Sequence, residues 1–248
     1  MNRVAIITGG GRGIGAATAR LLAQRDYDLC INYRHDRDAA DALVSELAAS
    51  GGRVFPMQAD IAVEDEVVRL FERVDAELGP VDALVNNAGI LLPQMKVERM
   101  SAERINRIFS TNVTGTFLCC REAIRRMARS QGGRGGAIIN VSSVAARLGA
   151  ANEYVDYAAS KGAIDTLTRG LSLELAGEGI RVNAVRPGFI DTRMHADGGE
   201  PDRIARVSPN IPMQRGGRPE EVATAIAWLL SDEASYVTGS FVDVGGGR

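Results

Sequence analysis

The chain has 248 residues, 45% hydrophobic and 24% charged, which is ordinary for a globular protein and long enough to bury one large core without staples. Its 29 basic and 31 acidic residues nearly cancel, so overall charge gives a nucleic acid no foothold. Three cysteines, Cys30, Cys119 and Cys120, and two histidines, His35 and His195, show no metal-ligand spacing; reduced core thiols and no metal site are expected.

Met1-Asn2-Arg3 runs directly into apolar residues, leaving no room for a secretory signal, and no segment approaches the ~20 apolar residues of a membrane span. A cytoplasmic protein is expected. Seven short apolar runs then follow: Val4 to Thr8, Asp28 to Tyr33, Val54 to Gln58, Ala83 to Asn86, Ala137 to Val141, Arg181 to Val185 and Ser240 to Val244. Between them lie segments of helical period. Val63, Val67, Leu70, Val74 and Leu78 form one expected buried stripe, and Ile105, Ile108, Asn112, Thr116 and Cys119 another. The alternation predicts a single-domain α/β fold, a doubly wound parallel sheet of seven strands with helices on both faces.

No internal repeat or low-complexity linker divides the chain. Gly132, Gly133, Gly135 and Gly136 read as a flexible surface connection, and residues 190–218, rich in Gly and Pro, as a lid loop that selects substrate. Arg121, Arg125, Arg126 and Arg129 make a basic helix face expected to be salt-bridged or solvated. Trp228, beside Val222, Ile226 and Leu229, is expected in the core.

After the first run comes Thr8-Gly9-Gly10-Gly11-Arg12-Gly13-Ile14-Gly15, then the helix Ala16 to Arg25. Glycines let the backbone approach a pyrophosphate, and the helix N-terminus adds free N–H donors and partial positive charge. Strand before and helix after make this a dinucleotide site. The second run ends Asn32-Tyr33-Arg34, with no acid where one would bind both ribose hydroxyls of NAD. Arg34, helped by Arg12, suits a 2'-phosphate instead, so NADP(H) is the preferred expectation. NAD(H) is the alternative if Asp36 and Asp38 neutralise Arg34.

The Thr-Gly-x-x-x-Gly-x-Gly spacing resembles the short-chain dehydrogenase/reductase family. So do Asp60 after the third run, Asn86-Asn87-Ala88-Gly89 after the fourth, Tyr157-Ala-Ala-Ser-Lys161, and Pro187-Gly188-Phe189-Ile190-Asp191-Thr192. The resemblance covers nearly the whole chain and implies a Rossmann fold. It implies cofactor contacts at Gly9, Gly11, Arg12, Gly13, Ile14, Gly15, Tyr33, Arg34, Asp60, Ile61, Asn87, Ala88, Gly89, Tyr157, Lys161, Pro187, Gly188, Ile190 and Thr192. Asp60 would meet adenine, Lys161 the nicotinamide ribose, and Ile190 and Thr192 the carboxamide.

Hydride transfer leaves a carbonyl oxygen needing a proton, and Tyr157 is the expected acid/base. Lys161, one turn on, lies on the same helical face; a cation about 4 Å away is worth about 4 kcal/mol at an effective dielectric near 20, and together with the oxidised nicotinamide charge this is enough to lower the phenol toward neutrality. Tyr154 is a competing phenol without a lysine one turn away. Ser143, preferred to Ser142, would polarise the carbonyl. Asn112 reads as either a satisfied core amide or, by the resemblance, a fourth catalytic residue that bends its helix and links Lys161 to solvent. Arg186 and Arg193 read as substrate-orienting or solvated charges. His195 reads as a lid histidine facing substrate or solvent.

The expected reaction is reduction of a ketone, or oxidation of a secondary alcohol, such as a 3-oxoacyl thioester, a sugar or a small carbonyl compound. A non-catalytic nucleotide sensor would lose Tyr157 or Lys161. An epimerase or dehydratase would carry a larger C-terminal domain than the residues after Pro219 supply. The resemblance also implies a homotetramer, paired through residues 101–129 and 154–177 and through the C-terminal strand and tail.

Overall fold

A computed structural model describes residues 2–248, with Ser50 described by its backbone alone. All seven predicted strands form: β1 (Arg3–Ile7), β2 (Tyr27–Tyr33), β3 (Val54–Gln58), β4 (Ala83–Asn86), β5 (Gly136–Val141), β6 (Ile180–Pro187) and β7 (Phe241–Val244). They pair in parallel in the order β3-β2-β1-β4-β5-β6-β7. Strands packed on both faces need apolar side chains in both directions, and β2 and β4 are buried along their whole lengths.

The helices are α1 (Gly13–Ala23), α2 (Arg37–Leu47), α3 (Glu64–Glu77), α4 (Ala102–Phe109), α5 (Gly115–Met127), α6 (Ala145–Leu148), α7 (Val155–Leu175), α8 (Met194–Asp197), α9 (Arg203–Val207) and α10 (Pro219–Leu230). On one face Val67, Leu70 and Phe71 of α3, Cys119 and Ala123 of α5 and Ile164 and Leu167 of α7 meet Ile6, Leu84 and Ile138. On the other, Ala19 and Leu22 of α1, Leu43 of α2 and Val222, Ile226 and Leu229 of α10 meet Ile7, Val85 and Ile139. Strand order reverses between β1 and β4, and a crevice opens there at their carboxyl ends.

Several expectations need correction. The Ile105-to-Cys119 stripe is not one α-helix: residues Ser110–Thr114 form a π turn between α4 and α5. The wider turn inserts one residue, so Ile108, Thr111, Asn112, Thr116 and Cys119 are buried while Ile105 is exposed. Val63 precedes α3 and is exposed too. Trp228 is 37% exposed; it stands two residues from Ile226, about 200° round the helix from the buried stripe. Of the glycines leading into β5, Gly132 stands open, but Gly133, Gly135 and Gly136 are packed rather than loose. A Cβ on Gly133 would lie 2.3 Å from the Met127 carbonyl, and one on Gly135 2.4 Å from the Gly179 carbonyl. The segment 190–218 carries α8 and α9 and is not a structureless loop.

The cysteines are free and buried, with thiols pushed well above their ordinary range by burial. Arg121, Arg125 and Arg126 of α5 are salt-bridged as expected, converging on the buried Glu122, whereas Arg129 lies past the end of that helix. No described helix is long and apolar enough to cross a membrane, and no metal-holding cluster occurs among the described residues.

Candidate active site

The glycine loop closes over the end of β1. Gly9 and Gly13 adopt φ of +59° and +53°, a left-handed region that side chains disfavour. A Cβ on Gly15 would stand 2.6 Å from the Gly9 carbonyl oxygen and 2.7 Å from Asn87 Nδ2, so backbone and helix start meet with no room for a methyl group. Asn87 ties the loop down: its Nδ2 donates to the carbonyls of Thr8 at 3.0 Å and Gly9 at 2.9 Å. Thr8 Oγ1 in turn accepts the Asn87 and Ala88 amides. The α1 N-terminus has no side-chain cap and no acid in its first turn, leaving its free N–H groups for an anion. This cradle fits the pyrophosphate of a dinucleotide.

At the far end of the crevice, Arg34 Nε lies 2.9 Å from Asp60 Oδ2. Asp60, and not Asp36 or Asp38, is the carboxylate paired with Arg34. Arg12 is paired as well, reaching Asp197 of α8 at 2.7 Å. Tyr33 is buried, and its carbonyl accepts the Ala59 amide. Ile61 is buried beneath Gly115 of α5, and Gly11 packs on Ala40.

One cleft collects Ile14, Asn87, Ser143, Tyr157, Lys161, Pro187, Gly188, Ile190 and Thr192 from the sequence-predicted residues. Gly188 donates to the Val244 carbonyl and lies against Gly245, so β6 and the C-terminal tail set that wall. Thr192 meets Gly13 across the mouth, where a Cβ on Gly13 would lie 3.3 Å from its methyl. The cleft also takes residues that sequence reading missed: Leu91, Leu148, Glu153, Phe189, Met194 and Arg203.

The two serines after β5 differ in what they bond. Ser142 Oγ donates to the Lys161 carbonyl at 3.1 Å, turned into α7. Ser143 Oγ donates to the Pro187 carbonyl at 3.4 Å, accepts the Ala145 amide at 3.1 Å, and lines the cleft with Tyr157. Tyr154 is buried, its hydroxyl donating to the Gly198 carbonyl at 3.3 Å and its ring under Arg203.

Tyr157 and Lys161 face each other on α7, with Nζ 5.6 Å from the ring centre. Burial around Tyr157 works against the acidifying effect of a neighbouring cation. Burial pushes Tyr157 up to about 12, and the neighbouring Ser143 hydroxyl only partly opposes it. The same burial pulls Lys161 down to about 8, against the raising effect of Asp165. Its Nζ donates to the Val141 carbonyl at 2.7 Å, so the ammonium's attention is divided. At neutral pH the phenol therefore keeps its proton, the form that can donate to an oxygen.

Asn112 is fully buried and satisfied. Its Oδ1 accepts the Ile90 amide at 2.8 Å, and its Nδ2 donates to the Ile90 carbonyl and to Ser160 Oγ, each at 3.1 Å. Ser160 donates on to the Tyr157 carbonyl at 2.7 Å. Asn112 Oδ1 and Lys161 Nζ both lie 3.4 Å from where a Gly89 side chain would begin, so the amide and the ammonium flank one glycine.

Beneath Tyr157, Arg104 of α4 pairs with Asp156 at 2.8 Å, and Asp156 Oδ1 accepts the Tyr157 amide at 2.9 Å. Arg186 is neither substrate-facing nor solvated: it pairs with Asp165 at 2.8 Å and stacks on Phe241. Arg193 is exposed. His195 is half-buried in the cleft wall and not turned to bulk solvent.

A family model described as enoyl-(acyl carrier protein) reductase matches residues 9–248. The chain is 64% identical to the uncharacterized oxidoreductase YgfF of Escherichia coli strain K12, with 99% of both chains covered. It is 41% identical to the cis-4-hydroxycyclohexanecarboxylate dehydrogenase of Sinomonas cyclohexanicum, covering 99% of this chain and 96% of that one. With the 3-oxoacyl-(acyl-carrier-protein) reductase FabG of Staphylococcus epidermidis it shares 38% identity over 100% of this chain and 99% of the relative. A crystal structure of a short-chain type dehydrogenase/reductase from Mycobacterium marinum superposes with a TM-score of 0.92 at 36% identity, covering 99% of this chain and 94% of that one.

Proposed function

The chain belongs to the short-chain dehydrogenase/reductase family of oxidoreductases, and we propose that it is an NADP(H)-dependent reductase of a ketone to a secondary alcohol. The observation that carries this reading is the meeting of the Tyr157 phenol and the Ser143 hydroxyl in one cleft beside Lys161. Two hydroxyls suit an oxygen atom of the substrate, which favours carbonyl over carbon–carbon double-bond reduction.

A bound nicotinamide dinucleotide supplies the hydride. Gly9 to Gly15 and the α1 N-terminus would hold its pyrophosphate, Asn87 to Gly89 and Lys161 its nicotinamide ribose, and Ile190 and Thr192 its carboxamide. Ser143 donates to the substrate oxygen and Tyr157 delivers its proton there as charge develops. Burial keeps that proton on the phenol until an oxygen accepts it. Asn112 holds the Ile90 backbone and Ser160 in place around Lys161 and completes the group.

The preference for NADP(H) rests on Arg34, because an arginine at the end of β2 can exchange Asp60 for a 2'-phosphate, whereas a carboxylate there would repel it. Residues 190–218 act as the substrate lid. Three unpaired buried cysteines suit a reducing compartment, and we place the protein in the cytoplasm. Phe117 on α5 and Leu173 on α7, 51% and 77% exposed, support the homotetramer.

The test is NADPH oxidation by the purified protein against small ketones, 3-oxoacyl thioesters, sugars and a 2-enoyl thioester. Turnover of a carbonyl compound without turnover of the enoyl thioester is the expected result. Turnover of the enoyl thioester alone, or of nothing, overturns the reading.

A further inference from the structure

The lining residues of the cleft not already given to the cofactor or the proton include Leu91, Leu148, Ala150, Phe189 and Met194, whose side chains are apolar. Among them stand four polar ones, Glu153, Tyr154, His195 and Arg203. All four are occupied by protein partners or buried away from the cleft.

Tyr154 is 3% exposed and donates its hydroxyl to the Gly198 carbonyl at 3.3 Å. His195 sets Nε2 2.9 Å from the Ile190 carbonyl oxygen, and its Nδ1 is buried. Arg203, with 8% of its side chain exposed, lies between the rings of Tyr154 and Phe189, 4.7 and 5.4 Å from their centres. It pairs with Glu153 at 2.6 Å and with Glu200 at 2.7 Å. Arg206 completes the cluster, bonding the other Glu153 oxygen at 3.1 Å and Glu200 as well.

Two carboxylates and two guanidiniums cancel, so the wall is neutral although it contains ionic side chains. Arg206, with Arg203, holds the Glu200 carboxyl down at about 2, which keeps that balance through the neutral range. Lys161, the other cation among the described lining residues, donates to the Val141 carbonyl beside Tyr157. A carboxylate or phosphate entering this wall would lose its hydration with no counter-charge to meet. A hydroxyl would lose hydrogen bonds to water that the wall does not replace. A methyl group would exchange water for apolar surface, a gain of about fourfold in binding.

We propose that the substrate is an uncharged ketone with an apolar body, its polar contact confined to the carbonyl oxygen at Ser143 and Tyr157, and that Glu153 is a specificity-determining residue that excludes anions by neutralising Arg203. The proposal rests on the reductase reading above.

The test compares kcat/KM with NADPH on one ring: cyclohexanone, 4-methylcyclohexanone, 4-hydroxycyclohexanone, 4-oxocyclohexanecarboxylate and the methyl ester of that acid. The methylketone should exceed the hydroxyketone by about tenfold, and the ester should exceed the carboxylate by about tenfold or more. Glu153→Gln leaves Arg203 one carboxylate short, so the carboxylate-to-ester ratio should rise about fivefold. Leu148→Lys adds a cation at a 51% exposed position of the wall, leaves the cluster intact, and should move the ratio the same way. It decides the matter if Glu153→Gln does not fold.

A hydroxyketone or carboxylate turned over as well as its apolar counterpart overturns the proposal. So does a ratio unmoved in folded Glu153→Gln or, where that variant does not fold, in Leu148→Lys. Absence of turnover with every ketone overturns the reductase reading instead. Saturation-transfer NMR of the unaltered protein with 4-methylcyclohexanol, cyclohexane-1,4-diol and 4-hydroxycyclohexanecarboxylate then decides the wall alone. Binding confined to the methyl-substituted alcohol supports the apolar wall; equal binding of the diol or the acid, or binding of none, overturns it.

Discussion

Asp156→Asn isolates the charge that underlies the candidate proton donor. The Arg104 and Asp156 side chains are 9% and 2% exposed and 2.8 Å apart. Arg104 has one further partner, the Pro93 carbonyl at 2.8 Å, and its Nη2 has none. An amide at 156 keeps the shape and loses the charge, leaving a buried guanidinium uncompensated. Breaking such a pair costs roughly 3–5 kcal/mol, a large part of the ~5–15 kcal/mol that holds a typical domain together. At about 2 °C per kcal/mol for a chain of this length, the melting temperature should fall by about 6–10 °C. Thermal and urea unfolding followed by circular dichroism measure it. The double variant Arg104→Met/Asp156→Leu removes both charges and should regain most of the loss, since a desolvated pair is nearly neutral against apolar replacements. The hydrogen bond from the Tyr157 amide to the residue-156 side chain is still missing there, so about 1 kcal/mol should remain lost. Asp156→Asn within about 1 kcal/mol of the unaltered protein, or a double variant no more stable than the single one, would refute the reasoning.

Gly15→Ala forces a methyl group to 2.6 Å from the Gly9 carbonyl; dinucleotide affinity, read by calorimetry, should weaken about tenfold or more, and unchanged affinity would remove the cradle. Arg34→Asp sets a carboxylate beside Asp60, so the KM for NADPH should rise about tenfold and that for NADH fall; an unchanged preference would dismiss Arg34 as the phosphate ligand. Lys161 titrates near 8 in the fold against an ordinary value of about 10.4, so between those values the unfolded chain binds the extra proton and stability rises with pH, by about 3 kcal/mol at most. Unfolding of the protein minus that of Lys161→Met should show this rise from about pH 8 to 10, and a flat difference would contradict the burial of the ammonium.

The strands were legible because burial on both faces leaves a run of apolar residues that no helix period imitates, as in Ala83 to Asn86, whose ends coincide with the observed ones; the ends of Val54 to Gln58 coincide too, although that edge strand is only half-buried. The glycine loop and the Tyr157–Lys161 spacing were legible because each is a local demand on a few adjacent residues. What escaped depends on partners remote in sequence. α9 is five residues long and owes its place to Arg203 bonding Glu153, fifty residues away. Arg104 and Asp156 stand fifty-two apart, and nothing in the period of either helix announces that they meet. The π turn at 110–114 shifts the buried stripe by one residue, which a fixed 3.6-residue period cannot represent. The tight glycines before β5 were misread because a glycine needed for close approach and one left for freedom look alike in a sequence. The burial that opposes acidification of the phenol escaped as well, because a neighbouring cation can be counted from spacing whereas depth of burial cannot.

The proton donor is the part of the account that everything else serves. Tyr157→Phe removes one oxygen and keeps the ring that packs beside Lys161. With a ketone that the unaltered protein reduces, kcat should fall by about a thousandfold, within the ~10²–10⁴ that a positioned acid contributes, while NADPH binding measured by fluorescence titration stays within about threefold. A variant that still binds NADPH and reduces the ketone at a rate within about tenfold of the unaltered protein would contradict the assignment of the proton to Tyr157.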